Sequence, residues 1–208
     1  MDYVIRGVAG QGSIRVFAAR TTQLVSKATK VHGLYPVAAA ALGRVLTAAG
    51  MMAVDMKNNS NVLSIVVKGT GSLGSIVSVA KADGTLKGYV DHPRVDLPLN
   101  EAGKLDVGSA VGREGKLTVI KDLGLKEPYV GQTDLVSGEI GQDIANYFWV
   151  SEQQPSAVAL GVLVNPDLSI KAAGGYIIQP LPDADEEIIN KMERKIAEMP
   201  AISALVDQ

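Results

Sequence analysis

The chain has 208 residues, of which 47% are hydrophobic, so it can bury most of its surface in a core that needs no disulfides. Its formal net charge is −2 at pH 7 and only 4% of its residues are aromatic, which argues against a nucleic-acid partner or an anionic membrane surface. It has no cysteine, which excludes thiol catalysis, disulfides and thiolate metal sites within this sequence.

The N-terminal part of the chain predicts a hairpin followed by two helices. The predicted elements are the strands Tyr3–Ala9 and Ser13–Ala18, a helix from Thr21 or Thr22 to about His32, and a second helix that opens at Pro36. Gly33 is well placed to end the first helix as a C′ glycine. The N-terminus lacks the basic and apolar regions of a signal peptide, so we expect a cytoplasmic protein.

The segment Val37–Asp55 is long and apolar enough to span a membrane. It is rich in alanine, however, and Arg44 lies near its middle, where a charged side chain costs at least about 2.5 kcal/mol on insertion scales. We therefore predict a central helix that is buried within the protein, and a transmembrane helix is the alternative. Its small residues would let neighbouring elements approach closely.

The middle of the chain predicts a series of strands with few helices between them. The strands are Val62–Lys68, Leu73–Lys81, Thr85–Asp91, Lys116–Leu123 and Tyr129–Val136, and a loop covers His92–Lys104. Asp83-Gly84 is a strong hairpin-turn signal between the second and third strands. This order favours an α+β fold with mainly antiparallel sheets, packed with the buried alanine-rich helix and flanking amphipathic helices.

A helix and a second hairpin are predicted after residue 136. Ser137 is a good N-cap, and Glu139 then lies in the first helical turn, where negative charge is favourable. One apolar face of this helix is formed by Ile140, Ile144, Tyr147 and Phe148. Ala157–Val164 is almost wholly apolar, which predicts a strand buried on both faces. Leu168–Gln179 returns as its partner, and Gly174-Gly175 indicates a bulge or a close backbone approach.

The sequence pattern changes beyond Pro182, from that of strands to that of an amphipathic helix. The acidic run Asp183-Ala184-Asp185-Glu186-Glu187 opens an amphipathic helix, because negative charge stabilises a helix N-terminus. The predicted apolar face of this helix is Ile188, Ile189, Met192, Ile196 and Met199. Pro200 ends the helix, and Ala201–Val206 follows as a short apolar tail.

One formal nucleotide motif is present. Gly69-Thr70-Gly71-Ser72-Leu73-Gly74 fits G-x-G-x-x-G, and Asp91 lies at a tolerable distance for a ribose ligand. A dinucleotide site needs a helix directly after the glycines, whereas the residues that follow Gly74 alternate and are β-branched. We therefore favour a glycine-rich turn, with nucleotide binding as the alternative.

The remaining polar residues form no strong constellation. His32 and His92 are the only histidines, and neither has a second ligand at zinc-binding spacing. Asp91 and His92 are adjacent, which is a poor geometry for a catalytic triad, and Glu139 with Asp143 is better explained by the helix N-terminus. We predict no catalytic, cofactor-binding or metal-binding residue in this chain.

Short motifs follow one another in a specific order along most of the chain. They include Ala41-Leu42-Gly43-Arg44, Gly88-Tyr89-Val90, Pro128-Tyr129-Val130-Gly131, Ser137-Gly138-Glu139-Ile140, Ser151-Glu152-Gln153, Pro155-Ser156-Ala157 and Ala173-Gly174-Gly175-Tyr176. This order, from about Asp2 to Pro182, resembles the 33 kDa chaperonin family of redox-regulated heat-shock holdases. The resemblance implies a chaperone core over residues 1–181 and the start of a helical linker over residues 182–208.

The resemblance also implies a function. Members of the family bind unfolded or aggregation-prone proteins without ATP, are not enzymes, and act as homodimers whose chains could exchange elements. Their switch is a C-terminal zinc module with four cysteines, in which oxidation releases zinc and unfolds the adjacent linker. Because this sequence has no cysteine, we expect zinc only in a C-terminal module that lies outside it.

Two other functions stay open at this stage. The Gly69–Gly74 loop would suit a nucleotide-linked small-molecule enzyme, and the whole chain would suit a non-catalytic dimeric scaffold.

Overall fold

The computed structural model describes residues 1–182 and 184–207. The described strands are β1 Tyr3–Ala9, β2 Ile14–Arg20, β3 Val62–Gly69, β4 Ser75–Lys81, β5 Leu86–Val90, β6 Gly115–Asp122, β7 Tyr129–Asp134, β8 Ala157–Val164 and β9 Ile170–Pro180. The described helices are α1 Thr22–His32, α2 Pro36–Ala53, α3 Val107–Val111, α4 Gly141–Glu152, α5 Glu186–Glu198 and α6 Ile202–Val206. The α+β class predicted from the sequence is confirmed.

The strands form two antiparallel sheets. The four-stranded sheet has the order β1-β2-β9-β8, and the five-stranded sheet has the order β5-β4-β3-β6-β7. The four-stranded sheet joins the β1–β2 hairpin to the β8–β9 hairpin, because β2 pairs with β9, with Phe17 opposite Ile177. Hairpins supply most of the other pairings, which explains why local turn signals such as Asp83-Gly84 predicted the strands well.

Helix α2 forms the centre of the core and contacts both sheets. The helix is long and apolar enough to cross a membrane. Every residue from Val37 to Ala53 except Arg44 is buried, however, so the helix is enclosed by the protein. The prediction of a buried central helix is confirmed. Helix α1 packs beside α2 and ends at Gly33 in a left-handed conformation, as predicted.

Two local predictions need correction, and one short helix was not predicted. Helix α4 begins at Gly141, several residues later than an N-cap at Ser137 would place it. Strand β8 is an edge strand in which only Leu160, Gly161 and Val162 are buried, so it is not buried on both faces along its length. The five-residue helix α3 lies in a segment that carries too few residues to show a helical period, and Asp106 caps it by accepting a hydrogen bond from Ser109 N at 3.0 Å.

Candidate functional site

The outer face of the four-stranded sheet is largely apolar, although Arg20 of β2 also lies on it. Side chains alternate between the two faces of a sheet, and Phe17, Leu160 and Ile177 lie on the inner face in the core. The register places Ile5, Ala18, Tyr176 and Ala159 opposite one another in a continuous outer row across all four strands. Val16 and Ile178 lie in the next row. A sheet face that meets water normally carries polar residues, so this face needs a cover.

The end of the chain supplies part of that cover. Helix α6 lies on β8 and β9 at a point where both strands have glycine. A Cβ atom built on Gly161 would be 3.1 Å from Ile202 Cγ2, and one built on Gly174 would be 2.9 Å from Val206 Cγ1. Lys171 of β9 also donates to Asp207 at 2.7 Å. These contacts hold α6 against the sheet.

Helix α5 is attached much more loosely. It has no buried residue, and its predicted apolar face, Ile188, Ile189, Met192, Ile196 and Met199, is only half-buried. Ile188 reaches the β1–β2 turn, where its Cγ2 would be 3.1 Å from a Cβ on Gly10. Asp185 caps the helix by accepting from Ile188 N at 2.8 Å, while Asp183 of the predicted acidic run lies outside the described residues.

The outer face is left open at β1. Ile5 of the outer row is 58% exposed and Tyr3 is 50% exposed, although both are large apolar side chains on a sheet. A partly open apolar sheet face, with a helical cover of which one half is weakly held, is the arrangement expected of a surface that binds apolar chain segments.

The Gly69–Gly74 loop lacks the strand–loop–helix arrangement of a dinucleotide fingerprint. Its amides already donate within the protein, from Gly71 N to Val111 O at 2.9 Å and from Leu73 N to Ala110 O at 3.0 Å. A side chain at Gly71 would overlap the carbonyl oxygen of Ala110, so the glycines allow close packing on α3. Strand β4 follows instead of a helix. The prediction of a glycine-rich turn is confirmed.

The other sequence-predicted candidates are dispersed. Asp91 Oδ2 accepts a hydrogen bond from Ser75 N at 2.8 Å, and this bond lowers the pKa of the Asp91 carboxyl. The carboxylate thus stabilises the turn before β4. His92 and His32 are both exposed, and His32 lies in the last turn of α1. Among the described residues no group of three or more His, Cys, Asp or Glu side chains could hold a metal ion. These residues do not fit the family's zinc site.

Glu139 and Asp143 do not form a carboxylate pair on a helix. Asp143 is fully buried, and its carboxylate accepts from the backbone N–H groups of Val136 at 2.8 Å and Ile140 at 2.9 Å. Glu139 precedes the helix and accepts from Arg44 Nη1 at 2.6 Å and from Gly108 N at 3.1 Å. The two carboxylates thus shape the loop before α4 and tie it to α2 and α3.

Comparisons with known proteins agree with this architecture. A family model described as Hsp33 protein matches residues 2–208. The 33 kDa chaperonin of Caldanaerobacter subterraneus subsp. tengcongensis is 50% identical over 207 residues, which are 100% of this chain and 70% of that protein. The 33 kDa chaperonin of a Clostridium perfringens strain is 51% identical over 208 residues, covering 100% of this chain and 66% of that protein.

A solved structure shows the same fold. The crystal structure of the 33 kDa chaperonin (heat shock protein 33 homolog) from Thermotoga maritima matches with a TM-score of 0.91 and 38% sequence identity, covering 96% of this chain and 68% of that chain. These similarities define the class of protein as a molecular chaperone. The chain belongs to the Hsp33 family, as the order of its sequence motifs predicted.

Proposed function

We propose that this chain is the client-binding part of an ATP-independent holdase, which binds unfolding or oxidatively damaged proteins and prevents their aggregation. The observation that carries the proposal is the apolar outer face of the four-stranded sheet, with α6 seated on it and α5 loosely attached. Unfolded clients expose apolar segments without a common sequence. A broad apolar face can bind such segments by burying their surface.

The cover is the regulated element in this proposal. Residues 1–181 form the client-binding core and residues 182–208 form a linker that competes with clients for the outer face. In the full-length protein a C-terminal zinc module with four cysteines would control the linker, because loss of zinc removes the folding energy of such a module. This sequence has no cysteine, so we assign no zinc ligand and no redox step to any of its residues.

The remaining parts of the proposal concern partners and location. The holdase acts in the cytoplasm as a homodimer, catalyses no reaction, and has neither nucleic acid nor a membrane as a partner. The net charge of −2 supports the last point, because nucleic acids and anionic membranes attract basic surfaces.

A cross-link that holds α6 on the sheet tests the proposal. The variant Gly161→Cys with Ile202→Cys places two thiols next to each other, because a Cβ atom at position 161 would lie 3.1 Å from Ile202 Cγ2. The background is free of other cysteines. The measurement is light scattering from a thermally unfolding client enzyme, with chelator and no ATP. We expect the parent chain and the reduced variant to suppress aggregation near an equimolar ratio, and the oxidised variant to lose most of this effect.

A second cysteine pair controls for oxidation itself. Thr118→Cys with Gln132→Cys joins β6 and β7 at an exposed pair whose side chains are 2.9 Å apart, far from the cover. Oxidation of this variant should leave suppression unchanged. Full suppression by the oxidised Gly161–Ile202 variant would exclude the covered face as the client site. If the folded parent chain and both reduced variants fail to suppress aggregation, the holdase proposal is wrong.

A further inference from the structure

A groove of about 500 Å³ lies between helix α1 and strand β5. Strand β5 is at the edge of the five-stranded sheet, where it pairs with β4 on one side only. The apolar side chains that line the groove are Leu24, Ala28, Val31, Leu46 and Leu86. Strand addition needs backbone groups at a sheet edge and pockets for alternate side chains, and an edge strand beside an apolar groove can supply both.

The backbone of β5 has hydrogen-bonding groups that point out of the sheet. Asp91, directly after β5, donates from its N–H to Ser75 O of β4 at 3.0 Å. Because backbone groups alternate in direction along an antiparallel strand, the N–H and C=O groups of Leu86 and Gly88 point away from β4. No backbone group of another described element bonds to them. An extended peptide can therefore pair with β5 without breaking a hydrogen bond of the sheet.

The charges at the groove favour an acidic partner. Lys27 of α1 and Lys87 of β5 lie at its rim, and both are exposed. The lining residues include no carboxylate, and neither lysine forms an ion pair with a described residue. A lysine on an edge strand also opposes pairing with the same edge of a second copy. A strand that carries carboxylates is thus favoured over a second copy of this chain.

The faces of β5 define the pattern of that partner strand. Gly88 faces α2, since a Cβ built on it would be 3.1 Å from Leu46 Cδ2, and Lys87 faces the opposite side of the sheet. A strand added to β5 keeps this alternation, so one set of its side chains enters the groove and the other lies beside Lys87. Apolar side chains suit the first position and carboxylates suit the second.

We propose that β5 binds an extended segment of a partner protein in which apolar and acidic residues alternate. The segment adds to the sheet as a further strand, its apolar side chains lie against Leu24, Ala28 and Leu46, and its carboxylates lie near the two lysines. This surface is separate from the outer face of the four-stranded sheet. The inference therefore does not depend on the proposed holdase activity.

Fluorescence anisotropy of a labelled, amidated peptide of sequence EVELEV tests the proposal. We expect a dissociation constant on the order of 0.1 mM, and at least about tenfold weaker binding of the matched peptide KVKLKV. Two N-methylated forms of EVELEV, one modified at the valine and leucine residues and the other at the glutamates, each block one edge of the peptide. Only one of them should lose at least about tenfold in affinity, because only one edge pairs with β5. Equal affinities of the two forms would contradict strand addition.

Two double variants locate the binding. Lys27→Glu with Lys87→Glu reverses the charge at the groove on exposed side chains, so we expect at least about tenfold weaker binding of EVELEV and stronger binding of KVKLKV. Lys57→Glu with Lys126→Glu changes two exposed lysines outside the groove by the same net charge and should leave binding unchanged.

Amide hydrogen exchange gives the position of the peptide directly. EVELEV should slow exchange at Leu86 and Gly88, whose N–H groups point out of the sheet. Equal weakening by the two double variants would mean general charge attraction and would overturn the proposal. Failure of the folded parent chain to bind EVELEV, or binding without slower exchange in β5, would overturn it as well.

Discussion

Gly161 and Gly174 face each other across β8 and β9, and α6 lies directly on the pair. The two glycines differ in what surrounds them. The three atoms nearest to a Cβ on Gly161 all belong to α6, with Ile202 Cγ2 at 3.1 Å and Ser203 N at 3.5 Å. A Cβ on Gly174 would overlap the carbonyl oxygen of Ala19 in the neighbouring strand. The first glycine therefore serves the docking of α6, and the second also serves the sheet.

Gly161→Val should release α6 without damage to the core. The new methyl groups would occupy the position of Ile202, and the remaining contacts, Val206 at Gly174 and Asp207 with Lys171, lie at the other end of α6. We expect faster amide hydrogen exchange in residues 202–206, a free energy of unfolding within about 1 kcal/mol of the parent value, and stronger suppression of client aggregation at limiting chain concentration. Unchanged exchange in α6 would contradict the prediction.

Gly175→Ala should act on the sheet and leave α6 in place. Its Cβ would be 2.5 Å from the carbonyl oxygen of Ala159, so β8 and β9 would have to move apart. We expect a loss of about 1–3 kcal/mol in the free energy of unfolding, as for overpacked cores. Urea denaturation with an unchanged m-value checks this. Together with Gly161→Val, it separates stability from uncovering of the outer face.

The sequence predicted the elements whose signals are local. Helix α2 followed from a long alanine-rich run, α5 from an acidic start and an apolar stripe, and most strands from alternation and turn residues. The sequence predicted a bulge or a close backbone approach at Gly174-Gly175, and the structure shows the close approach, to Ala19 O and Ala159 O.

The sequence could not predict contacts between distant or backbone groups. Arg44 and Glu139 are 95 positions apart, and no pattern marks them as partners. Asp143 was placed correctly on a helix, but its partners are backbone N–H groups of the loop before it, which any residue type would supply. The docking position of α6 depends on the register between β8 and β9, which places Gly161 opposite Gly174 and is a property of the folded sheet.

Asp143→Asn should lower stability strongly for an exchange of similar size. The carboxylate holds the backbone of Val136, Ser137 and Ile140, and Ile140 is kept at a φ of 67°, which is strained for a β-branched residue. An amide offers one acceptor oxygen and turns its NH₂ toward other donors. We expect a loss of about 2–4 kcal/mol in the free energy of unfolding.

A neighbouring substitution controls for this change. Gln142→Ala alters an exposed side chain in the same helical turn and should cost less than about 0.5 kcal/mol. Urea unfolding of both variants provides the comparison. Similar stability of the two would mean that the Asp143 hydrogen bonds do not hold the loop.

Tyr147 should make the protein lose stability in alkali. The ring is fully buried and its hydroxyl donates to Glu152 Oε1 at 2.8 Å; burial, followed by the negative charge of Glu152, raises the pKa of the Tyr147 phenol. The folded state therefore keeps the proton when the unfolded state releases it. The stabilisation is complete below the ordinary tyrosine pKa of about 10 and is lost as the pH rises above it.

Tyr147→Phe separates the hydrogen bond from the titration. At pH 8 the variant should be less stable by about 0.5–1.5 kcal/mol, because Glu152 loses a donor. Between pH 10 and roughly 12 its free energy of unfolding should fall less steeply than that of the parent chain. Burial also raises the pKa of Tyr176, so the slope should be reduced but not abolished. Parallel pH profiles for parent and variant would refute the assignment.

Nucleotides should not stabilise this protein, although its sequence contains G-x-G-x-x-G. The amides of Gly71 and Leu73 already donate to carbonyl groups of α3 and strand β4 follows the loop, so a pyrophosphate would not meet the cluster of amides that a helix N-terminus provides. We expect millimolar ATP or NAD to shift the midpoint of thermal unfolding by less than about 1 °C, which means negligible occupancy.

Gly71→Ala should instead lower that midpoint, because its Cβ would collide with the carbonyl of Ala110. A stabilising shift with ATP or NAD that disappears in Gly71→Ala would restore the nucleotide site; stability loss without any nucleotide response assigns the glycines to packing.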